Sequence, residues 1–100
     1  MKQTNPFYKS KKWINKRENV LRRDDYECRE CKRYGKTTVA TMVHHIFPLE
    51  HYPEYKLNSD NLISLCSKCH ERMHDRITNE ISEVGKRWQG RVEGALQGRQ

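Results

Sequence analysis

Two Cys-x-x-Cys pairs limit what this chain can fold into more than any other feature of its 100 residues. Together they supply four thiolates, which make a complete tetrahedral ligand set for Zn²⁺ with no open position. Only 34% of the residues are hydrophobic, so the apolar surface available for a core is small for this length. A structural zinc ion can replace part of that missing core. The sequence therefore predicts one zinc-stabilised domain, with the zinc bound by Cys28, Cys31, Cys66 and Cys69.

Two alternative functions, a redox dithiol and haem attachment, would each explain only one of the two cysteine pairs. A redox dithiol needs one pair, and usually a βαβ context. The pattern C-x-x-C-H at residues 66–70 matches haem attachment, but that chemistry requires export and leaves Cys28 and Cys31 unexplained. The chain shows no apolar leader and no run of about 20 apolar residues. We therefore expect a cytoplasmic protein without a membrane segment, in which thiols stay reduced.

The positive charge is concentrated at the start of the chain. The formal net charge is +7, and residues 1–23 carry all of it, because the remaining residues hold equal numbers of basic and acidic side chains. A local, directional field of this kind is expected of a segment that meets a polyanion, so nucleic acid is the predicted partner. A solvated helix face is the alternative interpretation. The predicted DNA-binding residues are Lys9, Lys11, Lys12, Lys16 and Arg23.

Hydrophobic spacing predicts a helix after a short arm. Residues 1–9 carry Pro6 and little periodicity, and Ser10 is a suitable helix cap. The apolar side chains that follow fall on one stripe of the helix, and most basic side chains lie elsewhere on it. Trp13 belongs to the stripe and is assigned to the core, without a functional role. The stripe consists of Trp13, Ile14, Val20 and Leu21.

The rest of the chain predicts a strand, a long loop, a short apolar segment and two helices. Residues 37–46 are rich in β-branched side chains and predict the strand, whereas residues 49–60 contain Pro53 and predict the loop. Residues 67–77 predict a helix, and the apolar spacing beyond them predicts a terminal helix that four glycines weaken. We divide the chain into a basic arm at 1–9, a central domain at 10–76 and a helical extension at 77–100.

Four of the five histidines are placed for metal or acid-base chemistry. His44 and His45 lie at the end of the predicted strand, where side chains alternate between the two faces. His70 and His74 are spaced i, i+4 and share one side of the predicted helix. If the thiolates fill one zinc site, His44 can join this pair in a second, open site that binds a catalytic divalent ion. His45 then remains available as a base, since neutral imidazole is present near pH 7.

Three motifs in this chain resemble those of the HNH, or ββα-metal, nucleases, in the zinc-stapled form common in bacteriophages. They are VHHI at residues 43–46, DNLISLC at 60–66 and CHERMH at 69–74, and they agree in order, residue type and spacing. With the first helix and the first cysteine pair, the resemblance extends over residues 10–76. It implies a small α+β fold stabilised by zinc, in which a ββα-metal core is flanked by an N-terminal basic helix and a C-terminal helix.

The resemblance also implies a role for each motif residue. His44 corresponds to a metal ligand, and His45 to the general base that takes a proton from the attacking water. Asn61 matches the asparagine whose side chain holds the base, or its loop, in position. His70 matches the second metal ligand, and His74 is similar to an additional histidine ligand of the colicin-type nucleases. Many relatives have Asp where this chain has His44, and an imidazole there shifts the preference from Mg²⁺ towards Mn²⁺, Ni²⁺ or Zn²⁺.

The implied function is a metal-dependent DNA endonuclease that nicks one strand or cuts both, leaving 5′-phosphate and 3′-hydroxyl ends. Phage relatives often assist genome packaging, which suggests a terminase as partner and the cytoplasm of a bacterial host as location. The alternative is a non-catalytic four-cysteine zinc module that binds DNA or a protein partner. That alternative explains the thiolates and the basic arm. It does not explain why His44, His45, Asn61 and His70 occur together.

Overall fold

The computed structural model describes residues 6–75, 77–78 and 80–97. The helices are α1 (Lys11–Arg23), α2 (Arg29–Arg33), α3 (Ser67–Glu71) and α4 (Glu83–Gln97), and the strands are β1 (Met42–His45) and β2 (Leu62–Leu65). Short 3₁₀ turns lie at Pro6–Lys9, Pro53–Tyr55 and Ser59–Asn61. β1, β2 and α3 follow one another as a ββα unit, so the predicted small α+β fold is confirmed. None of the helices within the described residues has the length and apolar character that a bilayer crossing requires.

The two strands form an antiparallel sheet with neighbours on both faces. Residues that pair across it share a face, because side chains alternate along each strand. His45 pairs with Leu62, on the face that packs against α1. His44 pairs with Ile63, on the face that meets α3 and the cysteines. Adjacent residues of one strand therefore enter two different environments.

Each face of the sheet contributes to its own apolar cluster. The cluster on the α1 side consists of Trp13, Val20 and Leu62, and Phe7 from the first 3₁₀ turn packs against it. The cluster on the other side includes two of the cysteines, so a metal site there would be continuous with the hydrophobic core. Its buried members are Cys28, Ile46, Ile63, Leu65, Cys69, Met73 and Trp88.

The first helix begins where it was predicted. The Ser10 side chain accepts a hydrogen bond from the Trp13 N–H at 3.2 Å and caps α1. Trp13, Val20 and Leu21 are buried as expected. The expectation for Ile14 is wrong, since its side chain is 52% exposed. Ile14 lies about 100° around the helix from Trp13, at the edge of the stripe, and belongs to neither cluster.

Two predicted elements are shorter in the structure. The strand predicted for residues 37–46 covers only Met42–His45, because the sheet has two strands and β2 offers four partner residues. Val39 instead forms an isolated bridge with Glu27 and stays 69% exposed. The helix predicted for residues 67–77 ends at Glu71, so His70 and His74 do not share a helical face. The Asp75 carboxylate accepts hydrogen bonds from the N–H groups of Ile77 and Thr78, which turns the chain there.

The C-terminal helix packs into the core. Its Trp88 is 3% exposed and donates its indole N–H to Glu30 of α2 at 2.8 Å. Gly85 allows a close approach, because a Cβ there would meet the Met73 carbonyl oxygen and the Ile81 side chain at 2.7 Å. The glycines that were expected to weaken this helix therefore include one that its packing requires.

A buried carboxylate connects the end of α1 to β2. Asp24 accepts two hydrogen bonds from Arg23, at 2.8 and 2.9 Å, and one from the Ser64 N–H at 3.1 Å. Burial by itself raises the pKa of Asp24, but the hydrogen bonds and charge of Arg23, with the Ser64 contact, hold it below its usual value. The charged form of Asp24 therefore links the end of α1 to β2, the strand that pairs with the histidine-bearing β1.

Candidate active site and metal centre

The four cysteines meet where α2 approaches the start of α3. Their sulfur atoms all lie within 4.8 Å of one another. The Cys31 Sγ is 3.9 Å from that of Cys66 and 3.7 Å from that of Cys69, much too far for a disulfide bond of about 2.05 Å. Four sulfurs placed tetrahedrally at about 2.3 Å from one zinc ion stand about 3.8 Å apart. The observed spacing fits a tetrahedral metal ion.

The pKa values of three of these thiols depart from the ordinary value. Burial raises the pKa of Cys28 and of Cys69. Burial acts in the same direction on Cys66, but hydrogen bonds from Cys69 and the other neighbouring cysteines lower the pKa of Cys66 to about 7. Four thiolates this close together repel one another, so a cation is needed to hold all of them in the charged form. The residues present therefore suit a closed structural zinc site.

Three of the histidines face one another on the other side of β1 from α1. The His44 ring centroid is 5.4 Å from that of His70 and 6.0 Å from that of His74, which lies in the turn beyond α3. Burial, together with the charges of these neighbours, lowers the pKa of His44 to about 3, and burial also lowers that of His70. Both are therefore neutral at pH 7, the form that binds metal. The structure thus brings the three predicted ligands together although α3 ends before His74.

This histidine group is more open than the cysteine group. Of the described His, Cys, Asp and Glu side chains, the four cysteines are the set whose donor atoms all lie within 4.8 Å. A looser arrangement is typical of catalytic sites, which keep positions for water and substrate, whereas structural sites are closed. The donor atoms of the three histidines therefore lie further apart than the four sulfur atoms do.

His45 is held on the α1 face of the same strand. Its ring stacks on Trp13, with centroids 4.9 Å apart and an interplanar angle of 23°. Its Nε2 lies 3.0 Å from the Lys56 carbonyl oxygen, and because a carbonyl only accepts, Nε2 carries the proton. The Nδ1 atom then keeps its lone pair. Burial lowers the pKa of His45, partly offset by the Lys56 contact, so the ring is neutral and able to accept a proton.

Asn61 holds the loop that positions His45. The Asn61 side chain is completely buried; its oxygen accepts from the Phe47 N–H at 2.8 Å, and its amide donates to the carbonyls of Phe47 and Tyr55 at 3.2 and 3.4 Å. Tyr55 directly precedes Lys56, whose carbonyl binds the His45 ring. Asn61 thus joins the two ends of the loop between the strands, one residue away from the group that orients His45.

A cleft of about 600 Å³ borders both histidine environments, and its walls include His44, His45, His70 and His74. Arg17 and Tyr8 also line it, and the sequence analysis had missed both. The Arg17 guanidinium donates to the Thr41 carbonyl at 3.1 Å. Arg17 follows Trp13 by four residues in α1, and this i, i+4 spacing is the signal that could have placed it beside the site.

The predicted DNA-binding side chains lie in two kinds of environment. Lys9, Lys11 and Lys12 are exposed around the start of α1. The Lys16 ammonium donates to the Ser59 hydroxyl at 3.1 Å. Arg23 makes four hydrogen bonds inside the fold, two to Asp24 and one each to the carbonyls of Ser59 and Leu62.

Comparison with known proteins identifies the family. The family model described as HNH endonuclease matches residues 28–76. A solved structure, the HNH endonuclease of the deep-sea thermophilic bacteriophage GVE2 with a manganese ion, is 44% identical; the match has a TM-score of 0.65 and covers 66% of this chain and 72% of that chain. No curated protein matches. The chain therefore belongs to the HNH endonuclease family and is a metal-dependent nuclease that hydrolyses phosphodiester bonds.

Proposed function

We propose that this nuclease cuts DNA, with His45 as general base and with His44, His70 and His74 as ligands of a divalent ion. The proposal rests on one observation: the adjacent residues His44 and His45 of β1 lie in different surroundings, one suited to binding a metal ion and the other to accepting a proton. His44 faces two further imidazoles, whereas His45 is fixed through Nε2 and keeps the Nδ1 lone pair on a ring that lines the cleft.

The chain's own groups account for the movement of the proton. In this proposal His45 Nδ1 takes a proton from a water molecule while the water oxygen forms a bond to phosphorus. The bond from phosphorus to the 3′ oxygen breaks, and that oxygen takes a proton from solvent, which leaves 5′-phosphate and 3′-hydroxyl ends. Lys56 and Trp13 keep the base oriented. When bound, the divalent ion supplies stabilisation of negative charge on the phosphoryl and leaving oxygens.

The donor set bears on the choice of ion. Imidazole nitrogen suits Mn²⁺, Ni²⁺ and Zn²⁺ better than it suits Mg²⁺, which prefers oxygen ligands. The manganese ion in the GVE2 enzyme supports the first of these for the present chain. We therefore propose Zn²⁺ at the four cysteines and a transition ion, with Mn²⁺ foremost, at the histidines.

A plasmid assay tests this function. Supercoiled DNA incubated with the zinc-loaded protein should be converted to nicked or linear form when Mn²⁺, Ni²⁺, Zn²⁺ or Mg²⁺ is added, and should remain supercoiled when none is. The ratio of nicked to linear product shows whether one strand or both are cut. Absence of cutting with every ion would instead support a non-catalytic zinc module that binds DNA or a protein.

Replacing Asn61 by alanine should reduce both stability and turnover. It removes three hydrogen bonds and leaves the partly buried Phe47 N–H without its partner, so we expect a loss of about 2–4 kcal/mol in the free energy of unfolding. The loosened loop should also lower kcat, measured at saturating metal and DNA. Asn58→Ala is the matched control, because Asn58 lies in the same loop and its side chain accepts one hydrogen bond, from Asp60. Equal effects of the two substitutions would contradict the role given to Asn61.

The lysines around the start of α1 are proposed to bind DNA phosphates. Lys9, Lys11 and Lys12 are exposed, and they flank Tyr8 and Trp13, which line the cleft. Lys16 is included because its ammonium has one neutral partner. Arg23 is left out of this proposal, since its hydrogen bonds hold α1 to the rest of the fold.

Replacing Lys9, Lys11 and Lys12 by glutamine should weaken DNA binding without changing kcat at saturating DNA. Each lost phosphate contact should reduce the slope of log K against log salt concentration by about one. Substitution is a better test than deletion of residues 1–12, because deletion also removes Phe7 and Tyr8, whose rings contact His45. Lys36→Gln, at an exposed lysine outside the cleft, is the control. An unchanged slope in the triple variant would place the DNA contact elsewhere.

We also propose a wider role and a domain division. Residues 10–76 would form the nuclease domain, with a DNA-binding arm at 1–9 and a helical extension at 77–100. The phage source of the GVE2 enzyme supports a phage origin for this chain. From the family resemblance we propose in addition that the protein acts with a terminase inside a bacterial cell. Stimulation of plasmid cutting by a purified terminase from the same genome would support this partnership, and equal rates with and without it would argue against it.

A further inference from the structure

A second cleft, of about 460 Å³, lies among the end of α1, α2 and α4 and shares no lining residue with the histidine cleft. Its volume is within the range of ligand pockets, about 300–1,000 Å³. Five basic side chains and two carboxylates line it. Four of these five bases lie after residue 23, where basic and acidic residues are equal in number. The fold therefore brings together basic side chains that are far apart in the sequence. The basic residues are Arg23, Arg29, Lys32, Arg33 and Arg91. Arg23 is already held by hydrogen bonds within the fold and is not among the proposed phosphate contacts.

Ion pairs within the fold compensate part of the positive charge of this cleft. Asp24 is buried, accepts hydrogen bonds from Arg23 and Ser64, and lies 3.6 Å from the Arg29 guanidinium. The Lys32 ammonium pairs with Glu27 at 3.3 Å. Arg33 reaches Glu30 only at 3.9 Å, and the same Glu30 oxygen accepts the Trp88 indole N–H at 2.8 Å. Within the described residues, Arg91 has no carboxylate within ion-pair distance. The five bases outnumber the two lining carboxylates together with Glu27 and Glu30 by one, so an anion from outside would meet a small net positive charge.

The Trp88 ring contacts guanidinium groups from two helices. The Cζ of Arg29, from α2, lies 5.4 Å from its ring centroid, and the Cζ of Arg91, from α4, lies at 5.1 Å. These cation-π contacts order the two side chains before any ligand arrives, which lowers the entropy lost on binding. Within the described part of the chain, neither group donates a hydrogen bond to a cysteine sulfur, so pairing with the thiolates does not explain them.

We propose that this cleft binds backbone phosphates of the DNA outside the segment that is cut. The inference rests on the proposed action on DNA. Guanidinium groups present planar pairs of N–H donors that match phosphate oxygens, which makes arginine the preferred partner of a phosphodiester. The side chains of Arg29 and Lys32 are 40% and 63% exposed, so each contact is weak alone and gains from a polyanion that engages several together.

The test compares the double variant Lys32→Gln/Arg91→Gln with wild type, both as full-length zinc-loaded chains. Arg87→Gln is the matched control, since Arg87 is an exposed arginine of the same helix that does not line the cleft. Binding of a fluorescent duplex is followed by anisotropy at several salt concentrations without added catalytic ion, so that no cutting occurs. Cleavage kinetics are measured separately with Mn²⁺. Arg91→Gln alone provides the test if the double variant loses its cooperative thermal transition, because Arg91 makes no hydrogen bond or ion pair within the described residues.

We expect each substitution to raise Kd about fivefold and to reduce the salt slope by about one, with kcat at saturating DNA unchanged. The control should match wild type. The proposal is overturned if the control and the cleft variants have equal effects, if Kd does not change, or if kcat falls instead. It also fails if the variants lose affinity for inorganic phosphate or ATP while DNA binding stays the same. Wild-type protein that neither binds nor cuts DNA would defeat the proposed function itself; cutting with unaltered binding by the variants defeats only this inference.

Discussion

The His45→Ala variant should cut DNA about 10²- to 10⁴-fold more slowly than wild type, which is the usual contribution of a general base. The reason is local, since removal of the imidazole takes away the Nδ1 lone pair while the residues proposed to hold the divalent ion lie on the other face of β1. Calorimetric titration with Mn²⁺ should therefore give the same affinity as for wild type. Added imidazole should restore part of the rate by entering the space beside Trp13.

Three further variants distinguish the loss of the base from the loss of a hydrogen bond, of a nearby histidine and of a metal ligand. His45→Gln preserves an N–H donor towards the Lys56 carbonyl and should be as slow as His45→Ala. His51→Ala removes an exposed histidine from the nearby loop and should cut at the wild-type rate. His70→Ala should weaken Mn²⁺ binding, with part of its activity recovered at high metal concentration. The assigned roles are reversed if His45→Ala loses the ion and His70→Ala binds it normally.

Cys66→Ser should abolish zinc binding and cooperative unfolding together. Structural zinc contributes about 10–16 kcal/mol in small zinc domains, which is comparable to the whole stability of a typical protein, about 5–15 kcal/mol. The loss should be severe here because two of the four cysteines belong to the core cluster that also holds Ile46, Met73 and Trp88. Zinc content by atomic absorption and thermal unfolding by circular dichroism give the two readouts.

Ser67→Ala is the control for this experiment. Ser67 is the exposed neighbour of Cys66 at the start of α3, so its replacement should leave zinc content and the melting transition as in wild type. A Cys66→Ser protein that loses zinc yet melts at the wild-type temperature would show that the metal does not support the fold. Mild chelation offers a second comparison, because the open histidine site should release its ion before the four thiolates release theirs.

The features that were predictable from the sequence are those encoded within short segments. The Cys-x-x-Cys spacing places two ligands on one turn, and alternation along β1 separates His44 from His45 whatever the rest of the chain does. The Ser10 cap is equally local. Each of these depends on residues at most a few positions apart, and each is present in the structure.

The features that were missed depend on distant partners. Residues 37–41 have the composition of a strand, but β2 is too short to pair with them. Beyond α3 the backbone leaves the helical path and pairs with a later segment, since the Asp75 N–H donates to the Glu80 carbonyl and His74 forms a bridge with Ile81. Trp13 is in the core as expected, but its stacking on His45 joins residues 32 positions apart, and the Trp88 contact with Glu30 spans 58. Hydrophobic periodicity carries no information about such pairs.

The pleat of β1 has a consequence for how such an enzyme evolves. A substitution at position 44 changes the surroundings of His70 and His74. It leaves the contacts of His45 with Trp13 and the Lys56 carbonyl unchanged. One nucleotide change in a histidine codon produces aspartate, an oxygen ligand that favours harder ions such as Mg²⁺. With His44 as the proposed metal ligand and His45 as the proposed base, a single mutation therefore changes the preferred ion of such a nuclease while the base and its packing are inherited intact.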